Sequence, residues 1–226
     1  MEALRLDGVT KVYGSGRSKV VALRNITLSI MEGELVCLMG PSGAGKTTLL
    51  KVAAGFTRPD KGSVWLMGEE ITKLGPKEIM ALRNRLVGFM FQEDLLINSL
   101  TISENVELPL IARGLPKRER KRMVLETLES LGIASLARRK PHEVSGGERR
   151  RACLAMSIAH RPRILFADEP TSSLDIDTSL TIIEELIDLN KEGTTILMAT
   201  HDTLIARKIR RVILIRDGSI IDDRRK

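Results

Sequence analysis

Hydrophobic residues follow two regimes along this chain. From residue 34 onward, short unbroken apolar runs alternate with stretches of helical periodicity; the runs are Leu35 to Met39, Leu86 to Phe91, Ile164 to Ala167 and Thr195 to Ala199. Continuous runs of this length suit strands of a parallel sheet covered on both faces, because every side chain then meets a buried layer. Residues 1–31 differ. They contain extended segments such as Val20 to Leu23 and Ile26 to Ile30, the second alternating apolar and polar, which predicts a half-buried strand.

Between Phe91 and Ile164 no strand pattern occurs. Thr101-Ile102-Ser103-Glu104 reads as a capping box opening a helix. Pro116 opens another, which places Val124, Leu125, Leu128 and Leu131 on one face and ends at Gly132. This span, roughly residues 93–160, is predicted to be a helical insertion. The tail, Val212 to Ile221 interrupted by Asp217-Gly218, is predicted to be a hairpin.

Composition narrows the picture. A chain of 226 residues, 42% of them hydrophobic, has core enough for one domain over residues 1–226, with room for an inserted subdomain. No stretch approaches the roughly 18 apolar residues of a membrane span, and the first residues lack the layout of a secretory signal. The expectation is a chain soluble by itself. Cys37 and Cys153 lie in apolar runs without a CxxC, which points to buried, reduced core residues rather than metal ligands.

The net charge of +7 is concentrated in Lys117 to Arg122, Arg138 to Lys140, Arg149 to Arg151 and Arg207 to Arg211, runs expected to be solvated helix faces. With only 3% aromatic residues, platforms for stacking bases are scarce, so no nucleic acid partner is expected. A phosphate-bearing ligand or an anionic membrane surface fits the charge at least as well.

Candidate chemistry gathers where the apolar runs end. In an open parallel sheet, ligands bind beyond the carboxyl ends of the strands. The residues there are Gly40-Pro41-Ser42-Gly43-Ala44-Gly45-Lys46-Thr47, then Gln92, then Asp168 and Glu169, then Thr200 and His201. The first matches GxxxxGK[ST]; with Gly near 7% of residues, a chance match in such a chain has odds of about one in a hundred. A strand precedes the loop and Thr47 to Phe56 reads as a helix behind it. Backbone N–H groups can then turn inward around phosphates at a helix N-terminus. Lys46 would reach the β- and γ-phosphates of ATP, Thr47 would bind Mg²⁺, and Thr48 continues the nucleotide-binding set.

Mg²⁺ also needs a carboxylate, direct or through water, which suits Asp168. A water attacking the γ-phosphate needs a base or an orienting group, which suits Glu169. Gln92 and His201 are candidate contacts to the γ-phosphate or that water, and Gln92 is a further candidate Mg²⁺ ligand. Glu169, His201, Gln92 and Lys46 form the candidate catalytic set.

Val144-Ser145-Gly146-Gly147-Glu148 precedes a helical run and lies some twenty residues before Asp168. With the phosphate loop, Gln92, Asp168-Glu169 and His201 in this order, the chain resembles the ATP-binding cassette (ABC) transporter ATPases along nearly its whole length. The resemblance implies an α/β fold, a P-loop NTPase (RecA-like) with a mostly parallel sheet core, an N-terminal antiparallel β subdomain and an inserted helical subdomain. Val144 to Glu148 looks like the family's LSGGQ signature, Ser173-Leu174-Asp175 like its D-loop, and Tyr13 sits where the family stacks an aromatic ring on adenine. Ser145, Gly146, Gly147, Glu148 and Asp175 thereby join the candidate nucleotide-binding residues.

The same resemblance implies a head-to-tail homodimer or heterodimer with two ATP molecules in the interface. It implies a membrane-spanning permease subunit contacting Glu93 to Pro109, and a cytoplasmic location, peripheral on the inner face of the cell membrane. Leu100 to Leu110 is similar to a subgroup serving lipoprotein release, macrolide or peptide export, and a cell-division complex. The implied function is an ATPase powering a transporter; the alternative is an ATPase regulating an envelope complex without transport. Val144, Glu148 and Met156 depart from the family's usual Leu, Gln and Arg. Relatives acting on nucleic acid resemble fused or coiled-coil-split cassettes, which this chain does not. A GTPase is disfavoured because Asn190-Lys191-Glu192-Gly193 lacks the Asp of NKxD.

Overall fold

The computed structural model describes residues 1–226, the side chain of Arg17 excepted. In chain order its main elements are β1 (Glu2–Tyr13), β2 (Val20–Met31), β3 (Leu35–Met39), α1 (Lys46–Ala53), β4 (Lys61–Leu66), β5 (Glu69–Glu70), α2 (Pro76–Leu86) and β6 (Val87–Met90). There follow α3 (Ile102–Ala112), α4 (Lys117–Ser130), α5 (Gly146–Ile158), β7 (Ile164–Asp168), α6 (Ile176–Lys191), β8 (Thr195–Thr200), α7 (Thr203–Lys208), β9 (Arg211–Arg216) and β10 (Ser219–Arg225).

Two sheets result. The first, ordered β2-β1-β4-β5, is antiparallel throughout. The second, ordered β10-β9-β3-β8-β7-β6, is parallel except where β9 turns back into β10. That turn is made by Asp217 (φ 49°) and Gly218 (φ 77°), the paired left-handed residues a two-residue hairpin needs.

The unbroken apolar runs are explained by a core on each face of the second sheet. Along β7, Ile164 and Phe166 face the layer containing α1 and the first sheet, while Leu165 and Ala167 face the layer of α3 to α6. The same alternation puts Leu197 and Ala199 of β8 on one side and Ile196 and Met198 on the other. Every residue of β7 and β8 is buried. Phe166 is wholly enclosed and stacks on Phe89 of β6 at 6.1 Å, so Phe166→Ala should cost about 3–5 kcal/mol.

Among the described residues no strand lies between Met90 and Ile164. Thr101 caps α3, accepting from the Glu104 backbone N–H at 3.2 Å while the Glu104 carboxylate accepts from Thr101 N at 2.7 Å. In α4 the buried face is Met123, Val124 and Leu128, with Leu131 just beyond it. Leu125 is a correction: it is 50% exposed, because one residue past Val124 a helix has turned about 100° away from the i, i+4 stripe. Two members of the basic runs also depart from the solvated faces expected of them. Arg150 and Arg211 are buried, Arg211 between the carboxylates of Glu34 (2.6 Å) and Asp223 (2.7 Å). Cys37 and Cys153 are both buried, and burial is the main reason each thiol is pushed up to about 12.

Candidate nucleotide site

The loop between β3 and α1 is pressed against the rest of the fold. A Cβ on Gly40 would collide with the Ile215 carbonyl, and one on Gly45 would come within 2.5 Å of the Ala22 carbonyl. Gly45 also holds φ 104° as the residue capping α1, a conformation natural only to glycine. The loop is therefore fixed at its two ends, with its backbone N–H groups at a helix N-terminus. Lys46, the first residue of α1, is 7% exposed. Its ammonium donates to the carbonyls of Gly40 (2.7 Å) and Pro41 (3.2 Å) and lies 3.3 Å from Glu169 Oε1.

Glu169 follows β7 directly. Its φ of 46° is left-handed, a strained choice for a residue with a side chain, and neighbouring bonds hold it there. Its N–H donates to the Ala199 carbonyl (2.9 Å), and its own carbonyl accepts from Ser172 N (3.1 Å). The bend turns the carboxylate toward His201, whose Nδ1 stands 3.1 and 3.0 Å from the two oxygens. A carboxylate can only accept, so Nδ1 is the donor.

Asp168, at the last position of β7, is buried, and its Oδ1 has no hydrogen-bond partner. Burial raises its carboxyl above the usual range, partly offset by a hydrogen bond with Thr47 in the first turn of α1. A buried carboxylate oxygen left bare beside a hydroxyl and a phosphate loop is the donor set a hard divalent cation takes. These residues fit Mg²⁺.

A cleft of about 600 Å³ is lined by Pro41 to Thr48, Gln92, Glu169 and His201, while Gly40 and the buried Asp168 are not part of that lining. A second stretch of its wall, packed against Ala44 and Gly45, is Val20, Val21 and Ala22 of β2 with Arg24, Asp217 and Gly218. The sequence reasoning missed that wall. It is built by long-range pairing, with Arg24 Nε donating to the Asp217 carbonyl at 3.1 Å, and no local motif marks it. Arg150 was also missed, concealed in a run of three arginines.

Other candidates lie outside this cleft. Tyr13 ends β1 opposite Val20, 43% exposed, with the Lys11 ammonium 5.4 Å from its ring centre. Ser145 caps α5: its hydroxyl accepts from Glu148 N at 3.3 Å, and the Glu148 carboxylate accepts from Ser145 N at 2.8 Å. That backbone bond holds the Glu148 carboxyl below the usual range. Asp175 caps α6 in the same manner, accepting from the backbone N–H (2.9 Å) and hydroxyl (2.7 Å) of Thr178. Gly146 and Gly147 form the first turn of α5. Met156, where the family commonly has Arg, packs against the helical core.

With this fold and this loop in place, the comparisons agree on a class. A family model described as ABC transporter matches residues 23–172, and the chain belongs to that family. It is an ATP-binding cassette ATPase. Among its relatives, the uncharacterised ABC transporter ATP-binding protein YknY of Bacillus subtilis is 40% identical over 218 residues, covering 96% of this chain and 95% of YknY. The macrolide export ATP-binding/permease protein MacB of Chlorobaculum tepidum is 39% identical over 99% of this chain, which spans 34% of that longer protein. A solved dimer of the cassette MJ0796, in a post-hydrolysis state with ADP and Pi, superposes with a TM-score of 0.91 at 37% identity, covering 98% of both chains.

Proposed function

We propose that this cassette hydrolyses Mg·ATP as half of a head-to-tail dimer and powers a separate membrane-spanning permease from the cytoplasmic face of the membrane. The observation that carries the reading is the meeting of the phosphate loop, Gln92, Glu169 and His201 in one cleft, with Asp168 beside Thr47. Thr47, Asp168 and Gln92 would hold Mg²⁺, which when bound neutralises charge on the β- and γ-phosphate oxygens. Lys46 and the loop N–H groups bind and orient the triphosphate. Glu169 takes the proton of the water that attacks the γ-phosphorus, and His201 keeps the carboxylate turned toward it. Tyr13 stacks on adenine.

Ser145, Gly146, Gly147 and Asp175 lie outside the chain's own cleft lining, which supports a role toward the nucleotide of a second subunit, with Glu148 beside them. The dimeric state of MJ0796 and the fused permease in MacB's name support the two partnerships. Among the described residues no helix is long and apolar enough to cross a membrane, so the spanning part would come from another chain or segment. The coupling surface is Glu93 to Pro109, where Leu95 (48% exposed) and Ile97 (46%) present apolar side chains to solvent.

Phosphate release from ATP by the purified protein tests this. It should require Mg²⁺ and rise more steeply than in proportion to protein concentration. Release that is independent of Mg²⁺, or strictly proportional to concentration, would contradict the site or the dimer respectively.

A further inference from the structure

Arg150 lies on α5, five residues after the helix-capping Ser145, and only 2% of it is exposed. Its guanidinium is spread across two strand ends. Nε donates to the Pro170 carbonyl (2.8 Å), and Nη2 to those of Glu169 (2.9 Å) and Asp168 (3.4 Å). Nη1 reaches the carbonyls of Phe91 (2.8 Å) and Gln92 (3.1 Å). Among the described residues its one ion-pair partner is Asp94, at 3.3 Å.

We propose that Arg150 is a positioning residue that locks Gln92 and Glu169 to the helix carrying Ser145-Gly146-Gly147, so that the two change position together. The inference rests on the function proposed above and deepens it. Five N–H donors in a rigid planar fork are what it takes to serve carbonyls just beyond both β6 and β7 at once. A buried cation so placed is held mainly by hydrogen bonds to carbonyls, with Asp94 supplying an opposite charge at its edge. One carbonyl it grips belongs to Glu169, whose left-handed backbone needs outside support to persist. Another belongs to Gln92, which lines the cleft just beyond β6. A displacement of α5 by a partner subunit's nucleotide is thereby felt at the chain's own hydrolytic carboxylate.

Lysine keeps the charge and loses the fork, so Arg150→Lys is the informative variant. Three quantities should be read together: kcat and the Hill coefficient of ATP hydrolysis, and the rise in Tm on adding Mg·ATP. Since misplacing a catalytic group by an ångström can cost about 10²-fold, kcat should fall by roughly 10- to 100-fold. The Hill coefficient should drop toward about 1 as the two sites uncouple. The nucleotide-induced rise in Tm should match wild type, because the phosphate loop is untouched.

Wild-type kcat and Hill coefficient in the variant would overturn the proposal. So would loss of the nucleotide-induced rise in Tm along with kcat, which marks a merely structural residue. If Arg150→Lys does not fold, Asp94→Asn decides, with a smaller fall in kcat and Hill coefficient expected and no change overturning the idea. Failure of the wild-type protein to hydrolyse ATP would instead strike the function on which the proposal rests.

Discussion

The ammonium of Lys46 lies 3.3 Å from Oε1 of Glu169, with the lysine side chain 7% exposed and the glutamate 10%. The residue meant for the phosphates and the residue meant for the water are thus one ion pair. The same lysine is held by two loop carbonyls and the same glutamate by His201, so loop, strand end and α1 share a single polar network.

Breaking such a pair from one side leaves a buried charge behind. Lys46→Met should lower stability as well as abolish nucleotide binding, and removing one partner of a buried pair typically costs about 3–5 kcal/mol, less here because His201 remains. Lys46→Met/Glu169→Gln should recover part of the loss. A double-mutant cycle by urea denaturation should give a coupling of about 1 kcal/mol or more. Strict additivity would mean the contact contributes nothing.

Asp168 carries the opposite expectation. Its carboxyl is raised by burial, so the folded state favours the protonated form relative to the unfolded chain. Stability is then greatest in acid and declines as pH rises through the unfolded carboxylate range toward the folded value. Asp168→Asn should therefore be more thermostable than wild type near neutral pH, with the gap closing in acid. The same variant should lose the rise in Tm that Mg·ATP confers. A variant less stable than wild type at neutral pH would show that the bare oxygen is already satisfied.

Glu185 on α6 offers the same test away from the cleft. Burial pushes its carboxyl up to about 7, opposed by the Arg151 charge, and its Oε2 is buried without a partner. Native stability should fall between the unfolded carboxylate value of about 4.3 and roughly pH 7, then level off. Glu185→Gln removes that fall. Its urea midpoint should match wild type near pH 4 and exceed it near pH 8, whereas a constant offset would mean that burial, not ionisation, sets the difference.

Glu148 replaces the Gln usual in the signature. Its carboxylate is spent on Ser145 N, with Arg151 and Arg139 nearby, yet it still places negative charge at the corner proposed to meet phosphate. Glutamine preserves the capping box, so Glu148→Gln should change stability by less than about 1 kcal/mol. Half-maximal hydrolysis should need less ATP. An unchanged ATP requirement would show the charge to be fully compensated.

What the sequence made legible is what depends on local chemistry. The loop through Lys46 needs glycine at fixed positions, the Thr101-Glu104 box needs only four residues, and β7 and β8 betray themselves by unbroken apolar stretches, Ile164 to Ala167 and Ile196 to Ala199. Asp217-Gly218 announced the hairpin for the same reason. The stretch of cleft wall from β2 and the β9–β10 turn was not legible, because Arg24 meets Asp217 through a contact 193 residues apart. Nor was Arg150, since a run of three arginines carries no mark of which one points inward. That depends on the rotation of α5 against β6 and β7. The paired length of β1 and β2 is not legible either, because register shifts break the alternation of their side chains between core and surface.

The most direct test of the account is the rate of ATP hydrolysis by Glu169→Gln beside wild type, with nucleotide binding followed in both by the rise in Tm. If Glu169 takes the proton of the attacking water, turnover falls by about 10²–10⁴-fold while Mg·ATP still stabilises the variant, now held as a dimer. Turnover at the wild-type rate with binding intact would contradict the assignment of Glu169, and with it the mechanism built around this cleft.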